Sequence, residues 1–531
     1  MAIRFNAVIA VFLLIFGLLG FNLYRLQVLK SDYYVSRAEA RNAAREELDL
    51  RRGQIFFTDR SGNEIPAAMN RDYPVIYAVP KEIKESVAAA KALAPLINAD
   101  EAKLAGDLNN PKSLFKLLVD KATDGQIAQV KALDLPGIYF DTKQHRFYPF
   151  SDLGANLIGF VGVNSENDQP VGLYGLEKIF DKTLSQGNDV RLTIDRNLEA
   201  EAERVLSDLV DRFQSPGGTV LIQEPKTGKI LALANVPDFD PNQYSKYPVK
   251  DFMNQAVQLV YEPGSVFKPL TMSAAIDSGA ITSSTTYVDK GYLVVSGHKI
   301  TNWDHKAYGK ATMTNVIEHS VNTGAAFAEQ AAGNATFRDY LKKFGFGAKT
   351  GVDLPDEVTG SLYNLDQKNP PAIAFANASF GQGVSVTPIQ LITAFSSIAN
   401  GGLLMKPYLD ASNKPEVVNR VMSGVTAEEV TQMMESAVNL AGVATISEYN
   451  VAGKTGTAQI PNFGRGGYLP DQYIHSYVGF APATDARFVI LIKIDKPNQT
   501  LAAETVVPAF QQLAQYVLNY YNIPPDRIVR Q

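Results

Sequence analysis

A chain of 531 residues is too long for one compact hydrophobic core, so two or three domains are expected. The 46% apolar and 20% charged residues are an ordinary globular balance, and the net charge of -5 gives no basis for expecting nucleic acid as a partner. The absence of cysteine excludes thiol chemistry and cysteine metal sites. The five histidines are scattered without a metal-ligand spacing, so we expect neither a metal nor a cofactor.

The N-terminal segment 5–24 is almost entirely apolar, and its length of about 20 residues is enough to cross a bilayer as a helix. No small-residue cleavage site follows it, which favours an uncleaved anchor over a cleaved signal peptide. More basic residues follow the segment than precede it, which by itself would put the rest of the chain in the cytoplasm. Long domains are translocated largely regardless of that bias, so the orientation has to be inferred from the chemistry of the chain.

The residues after this segment predict an irregular α+β module. A charged helix is predicted over 31–48, with its Arg and Glu residues on a solvated face. Helices are then predicted over 88–97 and 113–130, among short strands and turns that Gly and Pro interrupt often. A strongly periodic helix over 198–213 ends the module and connects it to the next one.

The sequence pattern changes at residue 215, after which two strands, a helical middle region, three further strands and a last helix are predicted. Strands are predicted over 219–223 and 230–235, and a helical middle region over 265–440. Three strands and a closing helix follow, at 451–460, 473–481, 488–494 and 506–521. Two early strands and three late ones with helices between them predict an antiparallel sheet flanked by helices, an α+β fold.

The predicted domain organisation has three parts. They are an anchor with a short cytoplasmic N-terminus (1–30), a juxtamembrane helix with a non-catalytic module (31–213), and a C-terminal domain (214–531). The chemistry-bearing motifs lie in the C-terminal domain.

The first motif is Ser265-Val266-Phe267-Lys268, which follows a Pro-Gly stop signal. At i and i+3 of a helix, Ser265 and Lys268 share a face. A serine hydroxyl needs a base to become a nucleophile, and a lysine can be that base if burial or a neighbouring cation lowers its pKa. The same spacing at residues 113–116 lies in an amphipathic run, where a solvated helix face is the better interpretation.

The second and third motifs are Ser320-Val321-Asn322 and Lys454-Thr455-Gly456-Thr457. A hydroxyl and an amide one residue apart can point into one cleft. Lys-Thr-Gly also occurs at 226–228 and 349–351, where turns are expected, whereas the copy at 454 begins a run of strands. A nucleotide-binding loop is the rival interpretation, but it needs a glycine at position 448, which is Glu, and a helix where strands follow.

Each motif alone is weak, but the three in this order form the signature of penicillin-binding proteins and active-site serine β-lactamases. The chain resembles class B penicillin-binding proteins over nearly its whole length. The segments that carry the resemblance are 261–268 (YEPGSVFK), 380–383 (FGQG), 387–391 (TPIQL), 51–53 (RRG), 59–62 (DRSG), 146–149 (RFYP), 175–177 (GLE) and 192–195 (LTID). Glu262 and the segments 319–324 and 456–459 are closer to the septal type than to the elongation type.

The resemblance implies a non-catalytic pedestal followed by a penicillin-binding-protein/serine β-lactamase-like domain with a five-stranded antiparallel sheet. The resemblance implies that Ser265 attacks a stem peptide ending in D-Ala-D-Ala, with Lys268 as the base. It implies that Ser320 relays the proton and that Asn322 holds the peptide amide. The N–H groups of Ser265 and Thr457 would form the oxyanion hole, Lys454, Thr455 and Thr457 would bind the terminal carboxylate, and Gly456 belongs to the same substrate-binding strand. The reaction is peptidoglycan cross-linking through a serine acyl-enzyme, which β-lactams inhibit.

The implied location is the extracytoplasmic side of the cytoplasmic membrane, with one membrane span. A membrane-embedded glycosyltransferase and division proteins are candidate partners of the pedestal, which is equally well explained as a rigid spacer. The alternatives are an elongation-type transpeptidase, a D,D-carboxypeptidase or β-lactamase-like hydrolase, and a non-enzymatic sensor. Trp303 and Tyr308, between the first two motifs, are predicted to pack in the core rather than line the cleft.

Overall fold

The computed structural model describes residues 2–31, 34–35, 52–164, 169–462 and 464–527. The charged helix predicted over 31–48 lies mostly outside these residues. The N-terminal helix α1 is Ala2–Tyr24, followed by a π-helical turn at Arg25–Leu29. Within the described residues one helical segment, Ile9–Leu29, is long and apolar enough to cross a membrane, with a mean hydropathy of 2.0.

The strands are β1 (Ile55–Thr58), β2 (Glu64–Ala78), β3 (Lys116–Val119), β4 (Ile138–Phe147), β5 (Val161–Val163), β6 (Pro170–Gly172), β7 (Val190–Asp195), β8 (Gly218–Gln223), β9 (Ile230–Val236), β10 (Thr286–Asp289), β11 (Tyr292–Val295), β12 (His298–Thr301), β13 (Gly309–Thr312), β14 (Leu403–Met405), β15 (Val417–Arg420), β16 (Ala452–Pro461), β17 (Tyr468–Ala481) and β18 (Phe488–Asp495). The further helices are α2 (Ser86–Ile97), α3 (Glu101–Leu108), α4 (Asp124–Ala132), α5 (Ala155–Ile158), α6 (Gly175–Ile179), α7 (Asp181–Ser185), α8 (Arg196–Phe213), α9 (Gln255–Gln258), α10 (Lys268–Asp277), α11 (Met313–Glu318), α12 (Asn322–Ala332), α13 (Asn334–Lys343), α14 (Tyr363–Asp366), α15 (Ala372–Ala378), α16 (Pro388–Ala399), α17 (Gly424–Ala441) and α18 (Ala502–Tyr520). Short 3-10 turns lie at Pro80–Glu82, Pro241–Lys246, Val249–Phe252 and Gly264–Phe267.

The chain forms two compact units. The first comprises Met1–Arg52 and Asn70–Phe147, and the second comprises Gly53–Met69 and Tyr148–Gln531. In the first unit, β3 pairs antiparallel with the end of β2, β4 also pairs with β2, and α2, α3 and α4 share a small apolar core. The helix predicted over 88–97 is confirmed as α2.

The helix predicted over 113–130 is wrong. Its apolar residues 117–119 belong to β3, because a short apolar run fits a strand as well as a helix face and pairing with β2 decides between them. The helix α4 begins only after Thr123, whose hydroxyl accepts the Gln126 N–H at 3.2 Å in a capping box. Ser113 lies in an irregular segment and Lys116 is the first residue of β3, so this second Ser-x-x-Lys does not lie on a helix. The Ser113 hydroxyl donates to the Phe115 carbonyl at 3.0 Å.

The second unit is built around a five-stranded antiparallel sheet in the order β16-β17-β18-β8-β9, which confirms the predicted sheet. Successive residues of β18 face opposite sides, as the strand period of two requires. Val489 and Leu491 join the core that includes α10 and α16, whereas Ile490 and Ile492 join the core that includes α8 and α18. The sheet is therefore covered on both faces.

The helical middle region predicted over 265–440 is confirmed only in part. Two small ladders interrupt it, β10 with β13 and β11 with β12, and a third ladder joins β14 and β15. These strands are four residues or fewer, too short for an alternating pattern to appear in the sequence. The helix predicted over 198–213 is confirmed as α8, and its apolar side packs in the core on one face of the five-stranded sheet.

We expect Ile492→Ala to lower the free energy of unfolding by about 2–5 kcal/mol, because it empties a buried site in the central strand of the sheet. Val425→Ala, at a side chain that is 76% exposed, is the control and is expected to change it by less than about 0.5 kcal/mol. Urea unfolding of the detergent-solubilised chain, followed by circular dichroism, measures both. Equal losses in the two variants would contradict the assignment of β18 to the core.

Candidate active site

The first motif begins at a tight turn. Gly264 has a φ of +63°, which favours glycine, and its N–H donates to the Gly381 carbonyl at 3.1 Å. A Cβ on Gly264 would lie 3.0 Å from the Cβ of Ala458, so glycine lets the turn approach β16 closely. The 3-10 turn Gly264–Phe267 then leads directly into α10, which leaves Ser265 at the predicted helix start.

Lys268 is completely buried, and its side-chain nitrogen faces two serines. The Nζ lies 3.0 Å from the Ser265 Oγ, as the predicted i, i+3 spacing requires. It also lies 3.0 Å from the Ser320 Oγ and 2.5 Å from the Ser320 carbonyl oxygen. The structure thus brings the first and second motifs together through one lysine.

Ser320 has a φ of +56°, a left-handed conformation that is uncommon for a residue with a side chain. It follows α11 at the position where helices often end with glycine, and the next residue, Val321, donates its N–H to the Val316 carbonyl at 3.0 Å. This geometry turns both the carbonyl and the hydroxyl oxygen of Ser320 towards Lys268. Strained backbone of this kind is concentrated at functional sites.

Lys454 approaches the same hydroxyl from the sheet. Its side chain is 5% exposed, and its Nζ lies 3.0 Å from the Ser320 Oγ and 3.3 Å from the Thr455 carbonyl oxygen. The Ser320 hydroxyl therefore lies between two lysine nitrogens. Within the described part of the chain, neither Lys268 nor Lys454 forms an ion pair with a carboxylate.

Burial lowers the pKa of both lysines, and it lowers that of Lys268 further. Loss of solvation lowers the pKa of Lys268 well below its usual range, and the nearby positive charge of Lys454 lowers that pKa further. Burial alone lowers the pKa of Lys454 to about 8. Lys268 is therefore favoured as the lysine that gives up its proton and can accept one, beside a Lys454 that keeps its charge up to a pH of about 8.

The third motif lies on β16, at the edge of the five-stranded sheet. Lys454 and Gly456 face the buried side, while Thr455 and Thr457 are more exposed. A Cβ on Gly456 would lie 2.6 Å from the Ser476 Oγ and close to the Pro263 carbonyl, so only glycine lets the first motif pack against this strand. The Thr457 hydroxyl accepts the N–H of the first residue of α18 at 3.4 Å.

Asn322 is the first residue of α12, and its side-chain amide donates to the Thr301 carbonyl at 2.9 Å. The structure therefore orients Asn322 by a contact that the sequence did not predict. Asp289 and Asn302, which form buried hydrogen bonds behind this segment, were also missed because neither belongs to a motif.

Glu262 connects the first motif to two distant segments. Its Oε1 accepts the Gly383 N–H and its Oε2 accepts the Tyr468 hydroxyl, both at 3.0 Å. The sequence pointed to Glu262 and to the segment 380–383 separately, but not to the contact between them. The burial of Glu262 raises its pKa.

The prediction that Trp303 packs in the core is wrong. Its side chain is 57% exposed, and its indole N–H donates to the His319 carbonyl at 3.2 Å, directly before Ser320. Tyr308 is half-buried and stacks on the His319 ring, with 4.8 Å between the ring centroids.

The other copies of the motifs lie away from this cluster. Residues 226–228 form the turn between β8 and β9, as predicted. In the copy at 349–351, the Thr350 hydroxyl donates to Glu357 at 2.6 Å. Lys454 and Thr455 lie within a strand and not at the start of a helix, which excludes the nucleotide-binding loop geometry.

Two family models match most of the chain. A family model described as the penicillin binding protein transpeptidase domain matches residues 218–515, and one described as the penicillin-binding protein dimerisation domain matches residues 49–220. The chain is 31% identical to stage V sporulation protein D of Bacillus subtilis, over 92% of this chain and 82% of that protein. It is 30% identical to peptidoglycan D,D-transpeptidase FtsI of Escherichia coli strain K12, over 95% of this chain and 89% of that protein.

Solved structures share the fold. Penicillin binding protein 3 of Mycobacterium tuberculosis is 29% identical, with a TM-score of 0.65 over 73% of this chain and 94% of that one. A peptidoglycan synthetase from Bifidobacterium adolescentis, 24% identical, has a TM-score of 0.70 over 91% of this chain and 98% of that one. With a transpeptidase domain preceded by a dimerisation domain, this chain belongs to the class B penicillin-binding proteins.

Proposed function

We propose that this protein is a peptidoglycan D,D-transpeptidase that cross-links stem peptides through an acyl-enzyme on Ser265. The observation that carries the proposal is the position of the Lys268 Nζ, 3.0 Å from the hydroxyl oxygens of both Ser265 and Ser320. Lys454, on the other side of Ser320, completes the cluster. The family and the names of its relatives support the same reaction class.

In the acylation step, neutral Lys268 takes the proton of the Ser265 hydroxyl as the oxygen attacks the carbonyl of the penultimate D-Ala. The bond to the terminal D-Ala breaks as its nitrogen receives a proton. Ser320 is suited to deliver that proton, because its hydroxyl contacts the nitrogens of both Lys268 and Lys454. Terminal D-Ala leaves as a free amino acid, and the stem peptide remains as an ester on Ser265.

The negative oxygen that forms during the attack needs hydrogen-bond donors fixed in advance. We assign this role to the N–H groups of Ser265 and Thr457. The close packing of the turn at Gly264 against β16 supports the pairing, since it brings the two segments together. No side chain has to reorganise to provide these donors.

The terminal carboxylate of the donor peptide is assigned to Lys454, Thr455 and Thr457. Lys454 supplies a cation, and the two threonines supply hydroxyls on the more exposed side of β16. Asn322 is assigned to the peptide amide. The amine of a neighbouring stem peptide then attacks the ester, which forms the cross-link and restores Ser265, whereas a β-lactam that acylates Ser265 leaves it blocked.

The proposal extends to location and partners. The apolar segment Ile9–Leu29 and the relatives of FtsI type support a membrane anchor. We place residues 1–30 as a single membrane span with its cytoplasmic end, 31–213 as the pedestal, and 214–531 as the catalytic domain outside the cytoplasmic membrane, where the stem peptides are. The septal role follows the FtsI relatives, and we propose a membrane-embedded glycosyltransferase and division proteins as partners of the pedestal.

We expect Ser265→Ala to abolish covalent labelling by a fluorescent penicillin without unfolding the protein, because the label attaches to the Ser265 oxygen. Ser113→Ala, in the other Ser-x-x-Lys copy, is the matched control and is expected to label like the wild type. In-gel fluorescence after denaturation, with thermal unfolding in parallel, measures both. Labelling that persists in Ser265→Ala would refute the nucleophile, and wild-type label that disappears within seconds would indicate a hydrolase.

The second-order rate constant of labelling is expected to follow a bell-shaped pH profile. Lys268 acts as a base only when neutral, so the rate rises with pH through its lowered pKa. Lys454 binds the carboxylate only when charged, so the rate falls above a pH of about 8, where it loses its proton.

The falling limb of that profile is expected to move to higher pH in Lys454→Arg, because a guanidinium stays protonated throughout the range. Lys226→Arg, in the turn copy of the third motif, is the control and leaves the profile unchanged. If the fall of the rate constant at high pH stays at its wild-type position in Lys454→Arg, that fall is caused by the titration of another group.

The proposed orientation predicts that alkaline phosphatase fused to the C-terminus is active in intact cells, since that enzyme becomes active only outside the cytoplasm. A green fluorescent protein fused at the same position through the same secretion route is expected to be dark. If the green fluorescent protein fusion is fluorescent and the phosphatase fusion is inactive, the catalytic domain lies in the cytoplasm. That result would contradict a role in peptidoglycan cross-linking.

A further inference from the structure

A buried carboxylate lies behind the second motif. Asp289, the last residue of β10, is 3% exposed. Its Oδ1 accepts the Thr323 hydroxyl at 2.8 Å and the Gly291 N–H at 2.9 Å, and its Oδ2 accepts the Asn302 side-chain amide at 2.9 Å and the Tyr308 N–H at 2.8 Å. An ionised carboxylate offers about four acceptor positions, so the surroundings of Asp289 match its ionised form.

The segment 301–303 lies alongside the second motif, and each of its three residues contacts the motif or a residue next to it. The three contacts are the Thr301 carbonyl with the Asn322 amide at 2.9 Å, the Asn302 side-chain oxygen with the Thr323 N–H at 3.3 Å, and the Trp303 indole N–H with the His319 carbonyl at 3.2 Å. Residues on both sides of Ser320 are thus held by one short segment. Asp289 in turn holds that segment through Asn302.

Asp289 also holds the start of α12 directly, through the hydroxyl of Thr323, the residue after Asn322. Its two oxygens therefore connect the helix that presents Asn322 to the segment that orients the Asn322 amide. Within the described residues Asp289 has no cationic partner, so hydrogen bonds alone offset the cost of burying its charge. An apolar residue would fill this position at lower cost, but it would not fix the segment relative to the helix.

We propose that Asp289 is a positioning residue for acylation, which acts by fixing the orientation of the Asn322 amide. The proposal rests on the proposed function, because it requires Asn322 to contact the substrate. It assigns Asp289 no contact with the substrate and no part in proton transfer.

The test is a double-variant cycle on the detergent-solubilised full chain, with Asp289→Asn, Asn322→Ala and the combination. Asparagine keeps the shape of Asp289 but places an NH₂ group against hydrogen-bond donors. The measured quantity is the second-order rate constant of acylation by a fluorescent penicillin and by a D-Ala-D-Ala-type thioester. Thermal unfolding is recorded for every variant.

We expect Asp289→Asn to lower the acylation rate constant by about tenfold or more, since a small misplacement of a binding group is costly. In the Asn322→Ala background the same change is expected to have an effect of less than about twofold, because its target is gone.

Asp277→Asn is the matched control. The Asp277 carboxylate also accepts three hydrogen bonds, from the Ser423 N–H, the Thr426 hydroxyl and the Tyr340 hydroxyl, but at the far end of α10. It is expected to lower thermal stability while leaving acylation within about twofold in either background. If the loss of acylation in Asp289→Asn were only a consequence of lower stability, Asp277→Asn would show a similar loss.

Two outcomes overturn the proposal: wild-type acylation in folded Asp289→Asn, or an equal further loss when Asn322 is already Ala. If Asp289→Asn does not fold, Thr323→Val removes one of the four hydrogen bonds and is expected to show a smaller loss with the same dependence on Asn322. Wild-type acylation in Asn322→Ala would instead refute the role of Asn322 in the proposed function, while labelling at Ser265 tests the reaction itself.

Discussion

Two buried lysine nitrogens contact one serine hydroxyl, so two positive charges would lie close together if both lysines were protonated. The chemistry of this site depends on how that repulsion is relieved. Lys268 and Lys454 each lie 3.0 Å from the Ser320 Oγ. Two unit charges about 5 Å apart at an effective dielectric constant of about 20 repel by about 3 kcal/mol. Deprotonation of one lysine removes that repulsion, and the more deeply buried Lys268 is the one that burial and its neighbour favour as neutral. In the proposed mechanism one residue type thereby supplies both a base and a cation, because the environments of the two lysines differ.

This cluster requires three chain segments to meet at distances shorter than side chains normally permit. Gly264 and Gly456 leave out the Cβ atoms that would otherwise separate the first motif from the edge strand β16. Ser320 adopts a left-handed conformation so that two of its oxygens reach Lys268. The five-stranded sheet, covered on both faces by separate cores, supplies the rigid edge against which these approaches are held.

Around the cluster, a half-buried and a buried carboxylate connect segments that are far apart in the chain. Glu262 connects the turn before Ser265 to Gly383 and Tyr468, and Asp289 connects β10 to the start of α12. Among the residues that the structure describes, both carboxylates accept hydrogen bonds from neutral backbone or side-chain donors, and neither pairs with a cation. Such contacts are directional, so they fix the relative positions of elements that apolar packing alone would leave free to adjust.

That Ser320 and Lys454 join Ser265 and Lys268 was implied by the family resemblance, and the structure shows these contacts. Because strand alternation, helical periodicity and residue spacing are local properties of the chain, the sequence predicted the strands of the sheet, the helices 198–213 and 88–97, and the proximity of Ser265 and Lys268. It did not determine β3 or the short ladders between residues 286 and 312, where short apolar runs fit either structure and pairing decides. It placed Trp303 in the core, although that side chain is exposed beside Ser320. The pKa order of the two lysines and the contacts of Asp289 and Asn302 follow from the tertiary structure alone, since burial and contacts between distant segments have no signature in a single sequence.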